Sequence, residues 1–206
     1  MTAERFEFFF DVHSPYSYLA ATQLPALEKR VGVRATWVPV LLGGIFKETG
    51  NRSPASLPAK ARYTWLDVHR YALRYGVPVH FPSWFPGNSL APMRMLTAAF
   101  EGDEGTGRRL TMACFQAAWV DNVDMSLPEA LVEVANMAGL PGRELAALAR
   151  EQRIKDKLRT QTDAAVRRGM FGVPTFFVGD ELYWGNDRMN FVEDALNEYV
   201  IMGSEK

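Results

Sequence analysis

The sequence predicts an α/β fold: a small β-sheet whose chain is interrupted, after its second strand, by a long all-helical insertion. Three observations predict it. A strand–helix–strand unit opens the chain, the middle carries helix-period patterning without strand signals, and two short β runs with a last helix close it.

Residues 5–12, RFEFFFDV, are aromatic-rich and too short for a globular helix, which marks a buried strand. The chain turns at His13-Ser14-Pro15, and a helix follows over 16–30. Ser14 or its neighbour serves as N-cap, Pro15 takes the first helical position, and Gly32 ends the helix. A second β-rich run spans 33–42. Strand, helix and strand at these lengths form a βαβ unit with parallel strands.

In the middle, 60–75 carries Trp65, Val68 and Ala72 at helical spacing, with Leu66, His69 and Leu73 beside them. Residues 89–100 and 108–120 also read as helical. Ser126 to Glu129 has the capping-box pattern, opening a helix that Gly139 closes. Helices over 144–150 and 155–168 complete the insertion. Its basic positions alternate with Glu151, Asp156 and Asp163, the pattern of a solvated face. After Gly172, runs over 175–178 and 181–184 flank the turn Gly179-Asp180, a hairpin signal. The last helix starts near Asp187, which offers a cap. It runs to about 200, with Phe191, Val192, Ala195, Leu196 and Tyr199 as its buried stripe. The order is that of a thioredoxin-like domain, 1–42 and 171–206, with an inserted helical domain at 43–170.

Composition narrows the function. The chain has 206 residues, 48% of them hydrophobic and 12% aromatic, enough for a substantial core. Lys and Arg number 23 against 24 Asp and Glu, a balance that points away from nucleic acid or an anionic membrane as partner. The single cysteine, Cys114, excludes an internal disulfide, a Cys-x-x-Cys redox centre and a cysteine zinc cluster. It shares an apolar stripe with Leu110 and Ala117 and reads as a buried, inert thiol. His69 and His80 are too isolated to join His13 in a metal site, so no metal is expected. No basic segment leads into an apolar core at the N-terminus, and no apolar run is long enough to span a bilayer, so a cytoplasmic protein is expected.

Three motifs carry chemistry. In the first, Ser14 stands where a helix begins. Unpaired amides and the positive end of the helix dipole stabilise an anion such as a thiolate there, and a hydroxyl adds one charge-assisted hydrogen bond. The same serine can equally be only a helix cap. The second is Gly172-Val173-Pro174-Thr175, a proline at a strand start; it is an ordinary loop proline or, in a thioredoxin-like fold, a turn beside the first helix. The third is Trp184-Gly185-Asn186-Asp187-Arg188, able to hold the ammonium and carboxylate of a zwitterion or simply to cap a helix.

Taken together, the stretches FDVHSPYSYLA at 10–20, GN at 50–51, PAKARY at 58–63, VHFP at 79–82, SLAPMR at 89–94, FGVP at 171–174 and WGNDR at 184–188 resemble one family. It is the 2-hydroxychromene-2-carboxylate isomerases, DsbA-like proteins related to the kappa-class glutathione transferases. The resemblance implies a glutathione-dependent isomerase, usually a homodimer, acting on a small aromatic substrate. Ser14 would contact the glutathione sulfur, with the Val173 backbone beside Pro174 pairing with the cysteinyl moiety. Trp184, Gly185, Asn186 and Asp187 would hold the γ-glutamyl end, and Lys60 a further part of the tripeptide. Lys47, Asn51 and Phe85 would line the substrate site, Lys47 as partner for a substrate carboxylate.

The implied chemistry is reversible addition of the glutathione thiolate to the ring-opened, conjugated substrate, rotation about the bond made single, and expulsion of the thiolate. It interconverts 2-hydroxychromene-2-carboxylate and trans-o-hydroxybenzylidenepyruvate. Two other functions stay open: a kappa-like transferase conjugating glutathione to electrophiles, and a non-catalytic glutathione-binding module. Tyr16 and Tyr18 read as helix packing, with one at the pocket rim, and His13 as a base beside Ser14.

Overall fold

The computed structural model describes residues 5–204. The chain runs β1 (Arg5–Phe10), α1 (Pro15–Val31) and β2 (Arg34–Pro39), then α2 (Leu42–Thr49), α3 (Pro58–Tyr75), α4 (Leu90–Gly102), α5 (Glu104–Trp119), α6 (Pro128–Met137), α7 (Gly142–Leu148) and α8 (Gln152–Arg167). It closes with β3 (Thr175–Val178), β4 (Glu181–Trp184) and α9 (Met189–Ser204). The sheet order is β2-β1-β3-β4, with β1 parallel to β2 and the other two pairings antiparallel. This is a thioredoxin-like sheet with only helices between β2 and β3 among the described residues.

Side chains alternate along a strand, so the aromatic run of β1 divides between two faces. Phe6, Phe8 and Phe10 join Leu24 and Leu27 of α1, Phe115 of α5 and Leu196 of α9 in the larger core. Phe8 stacks on Phe176 of β3 with ring centroids 5.3 Å apart. Phe9 points the other way, to Phe177, Ile45 of α2 and Ala165 of α8. The second face of the sheet is thus covered by helices drawn from inside the stretch 43–170.

Helix α1 has the expected start and stop. Pro15 occupies its first turn, Ser14 caps it, and Gly32 ends it in the left-handed region at φ 70°. Four expectations fail. Residues 33–42 are not one strand: β2 stops at Pro39 and α2 begins at Leu42. The N-cap Leu41 gives α2 no side-chain cap; the Leu42 amide donates instead to the Asp11 carboxylate, 31 residues away in sequence. The capping box at Ser126–Glu129 does not form, because α6 begins at Pro128 and the Ser126 amide donates to Asp124. Asp187 lies in a short 3-10 turn before α9, not as its cap, and Phe191 is 50% exposed rather than buried. Tyr199 lies outside the residues whose side chains are described.

Candidate active site

Ser14 sits between β1 and α1, 5% exposed. Its Oγ accepts a hydrogen bond from the Ser17 amide at 3.2 Å, the N-cap bond of α1. The same hydroxyl donates to the Val173 carbonyl at 3.3 Å. The turn before β3 is therefore tied to the mouth of α1, and the peptide bond Val173-Pro174 is cis. Beyond it, the Gly185 amide donates to the Pro174 carbonyl at 2.9 Å, which brings the third motif against the second.

These contacts open onto a cavity of about 880 Å³. Its wall contains Ser14, Val173 and Pro174, then Trp184, Gly185, Asn186 and Asp187, and also Asn51, Lys60 and Phe85. Three sequence motifs separated by up to about 170 positions meet around one space. Lys47 does not join them. Leu42 and Phe46, one helical turn apart, carry the cavity face of α2, and Lys47 lies about 100° further round that helix, exposed. Arg52, which the sequence reading passed over, is the additional cation on the wall.

Local sequence explains the shape. Gly185 has φ 109°, and a Cβ there would come within 2.4 Å of Asp187 Oδ1. Glycine is required by both backbone and space. Gly172 lets the Trp184 ring lie against the chain, since a Cβ would meet its Nε1 at 2.7 Å. Trp184 packs against Phe171 with ring centroids 4.9 Å apart and planes tilted by 53°, yet stays 49% exposed, an apolar rim. Asn51 Nδ2 donates to the Phe171 carbonyl at 3.0 Å and ties the loop after α2 to the same rim. Asp187 pairs with Arg188 at 2.5 Å.

The titratable groups sort by role. Burial raises the ionisation of Tyr16 far above the usual tyrosine range, and Asp67, which accepts its hydroxyl proton at 2.9 Å, raises it further. Tyr16 is thus a fixed donor on the wall and not a base. A second carboxylate, Asp11, was missed as a structural centre. It is 0% exposed and accepts from the His13 amide at 2.9 Å, the Leu42 amide at 2.9 Å and Ser89 Oγ at 2.7 Å. A charged residue directly after an aromatic strand was the one available signal.

A DSBA-like thioredoxin domain model matches residues 5–197. The chain belongs to the DSBA-like family. It is similar to the 2-hydroxychromene-2-carboxylate isomerase of Pseudomonas sp. (strain C18), 30% identical over 200 residues that cover 96% of this chain and 92% of that protein. Glutathione S-transferase kappa 1 of Homo sapiens is 29% identical over 204 residues, covering 93% of this chain and 90% of the relative. The solved structure of SeMet 2-hydroxychromene-2-carboxylate isomerase gives a TM-score of 0.85 at 30% identity, with 98% of each chain covered.

This DSBA-like chain has serines at 14 and 17 and one cysteine elsewhere. Cys114 is fully buried on α5, and burial pushes its thiol up to about 12. We expect a thiol reagent to leave the native protein unmodified at neutral pH and to label one thiol per chain after denaturation. Rapid labelling of the folded protein would show that Cys114 is accessible. Among the described residues, no group of His, Cys, Asp or Glu side chains could hold a metal ion. None of the described helices is long and apolar enough to cross a membrane.

Proposed function

We propose that the chain is a glutathione-dependent isomerase of 2-hydroxychromene-2-carboxylate or a similar conjugated aromatic carboxylate. One observation carries the reading: the Ser14 hydroxyl, at the mouth of α1, opens into a cavity shared with the turn at Val173-Pro174 and the segment 184–187. A volume of about 880 Å³ falls within the range of roughly 300–1,000 Å³ for small-molecule sites.

The donor set fits the tripeptide. The positive end of α1 and the Ser14 hydroxyl suit an anionic sulfur. The Val173 backbone is available to extended peptide, and Asp187 with the 185–187 turn suits an α-amino acid terminus. Lys60 suits a carboxylate. When bound there, glutathione supplies a nucleophilic sulfur that can add to a conjugated double bond and leave again. The aromatic side chains Trp65, Phe81, Phe85 and Trp119 give the remaining wall a surface for a planar ring. With Lys47 turned outward, Arg52 is the cation left on the wall for a substrate carboxylate.

Calorimetric titration with glutathione is the first test, and absence of binding would remove the reading. The chromene carboxylate is then incubated with protein and a small amount of glutathione. Interconversion with the tripeptide recovered intact supports the isomerase. Rapid adduct formation with a chlorinated nitrobenzene, and no interconversion, assigns the chain to conjugation instead.

A further inference from the structure

Residues 50–57, the segment between α2 and α3, all line the cavity, and none of the eight is buried. Leu57 is 53% exposed, and no member of the segment joins either hydrophobic core among the described residues. The segment holds its own shape instead. Ser53 Oγ accepts from the Ala55 amide at 3.2 Å, and the Ser53 carbonyl accepts from the Ser56 amide at 3.0 Å and from Ser56 Oγ at 2.7 Å. The Leu57 amide donates to the Pro54 carbonyl at 3.1 Å. Both ends are turning points: Gly50 leaves α2 in the left-handed region at φ 69°, and Pro58 opens the first turn of α3. Apart from bonds to the helix ends it joins, one hydrogen bond among the described residues ties it to the fold, from Asn51 Nδ2 to the Phe171 carbonyl.

We propose that 50–57 is a strap that closes over the filled cavity, turning at Gly50 and at Leu57-Pro58, with Asn51 as its latch. The inference rests on the function proposed above and adds what closes the strap: the aromatic carboxylate, joining glutathione. A self-bonded segment with no core contacts opens and closes at little cost, the property of lids and binding loops. A few residues at its ends absorb the change in backbone angles.

The chemistry on the strap selects the ligand. Arg52 is exposed and, among the described residues, has no ion-pair partner. A carboxylate in the cavity draws the guanidinium, and the segment that carries it, onto the ligand. Leu57 supplies apolar surface that leaves water against an aromatic ring. A molecule with both features closes the strap better than one with either. The latch bond ends on Phe171, next in sequence to the Gly172-Val173 turn that meets Ser14, so the strap is anchored beside the site of the sulfur.

Amide exchange with water, followed residue by residue by NMR on the wild-type chain, tests the closure. The free protein is compared with protein plus glutathione, and with protein plus glutathione and the equilibrium mixture of 2-hydroxychromene-2-carboxylate and its isomer, which turnover does not deplete. Calorimetry on the same samples records which ligands bind. With the carboxylate at about ten times its dissociation constant, exchange throughout 50–57 is expected to slow by about tenfold, because the ligand must leave before the strap reopens. Glutathione alone slows it little. Asn51→Ala is expected to speed exchange of the free segment by about fivefold, the worth of one hydrogen bond. Arg52→Gln keeps the free rate and loses most of the protection by the carboxylate. If both ligands bind and exchange over 50–57 is unchanged, or slows only at Arg52, the segment is a fixed wall and the strap is overturned while the glutathione site stands. Full protection by glutathione alone, or binding of glutathione without the carboxylate, overturns the carboxylate as the closing ligand. If glutathione does not bind, the reading of the site fails and this inference with it.

Discussion

Ser14→Ala is expected to lower glutathione-dependent turnover by tenfold to a hundredfold while leaving the fold intact. The hydroxyl accepts the α1 cap bond and donates across to Val173, so it fastens two of the three motifs. In the proposed site it turns its proton to the bound sulfur. A hydrogen bond to a charged group contributes about 1.5–3 kcal/mol, and each factor of ten in rate is about 1.4 kcal/mol, which sets the range. The cap itself is a separate quantity of about 1 kcal/mol. Ser14→Gly separates the two, because glycine replaces a serine cap at a cost of only a few tenths of a kcal/mol. Both variants should lose turnover alike; both lose the bond to Val173, and the alanine should lose more stability in urea by the cap difference. If Ser14→Ala turns over as fast as the wild type, the hydroxyl is a cap and nothing more.

How much could be read beforehand follows from where the determining contacts lie. Local rules place β1, α1 with Pro15 and Gly32, and the β3–β4 hairpin, because each is fixed by neighbours in sequence. Helix α2 was not legible, since its first amide is satisfied by Asp11 from another element and its opening Leu42-Gly43-Gly44 carries no start signal. At the capping box, local chemistry offered a bond that Asp124 supplies instead. The candidate site divides the same way. Its motifs were visible as residue types, and the cavity gathers every expected wall residue except Lys47. Lys47 was named from the resemblance alone, and no local signal told that α2 would present Leu42 and Phe46 to the cavity and leave Lys47 exposed. His13 illustrates a third case: its position in the chain was plain, whereas the lack of a hydrogen-bond partner for either ring nitrogen among the described residues is a property of packing around Trp84 and Gly87.

Asp11→Asn should be among the most damaging conservative changes in the protein, costing about 3–5 kcal/mol in urea or thermal unfolding. The native carboxylate is wholly buried and meets only donors: two backbone amides and one hydroxyl. An asparagine of the same size keeps one acceptor oxygen but turns an NH2 group toward a donor. At least one bond is replaced by donor against donor, with no water to relieve it. The Ser89→Ala variant removes a single hydroxyl donor and should cost about 1 kcal/mol, because the carboxylate keeps its two amides. Added to Asp11→Asn, the second change should cost less than it does alone, and additive losses would show that the two side chains do not share a bond. The consequence reaches the site as well. Leu42 begins α2 and His13 adjoins Ser14, both on the cavity wall, while Ser89 precedes α4, so one carboxylate ties two stretches of the wall to a third behind them. Glutathione affinity in Asp11→Asn, measured where the variant is still fully folded, should therefore fall as well. Unchanged affinity there would mean that the cavity keeps its shape without Asp11, and that its role ends at stability.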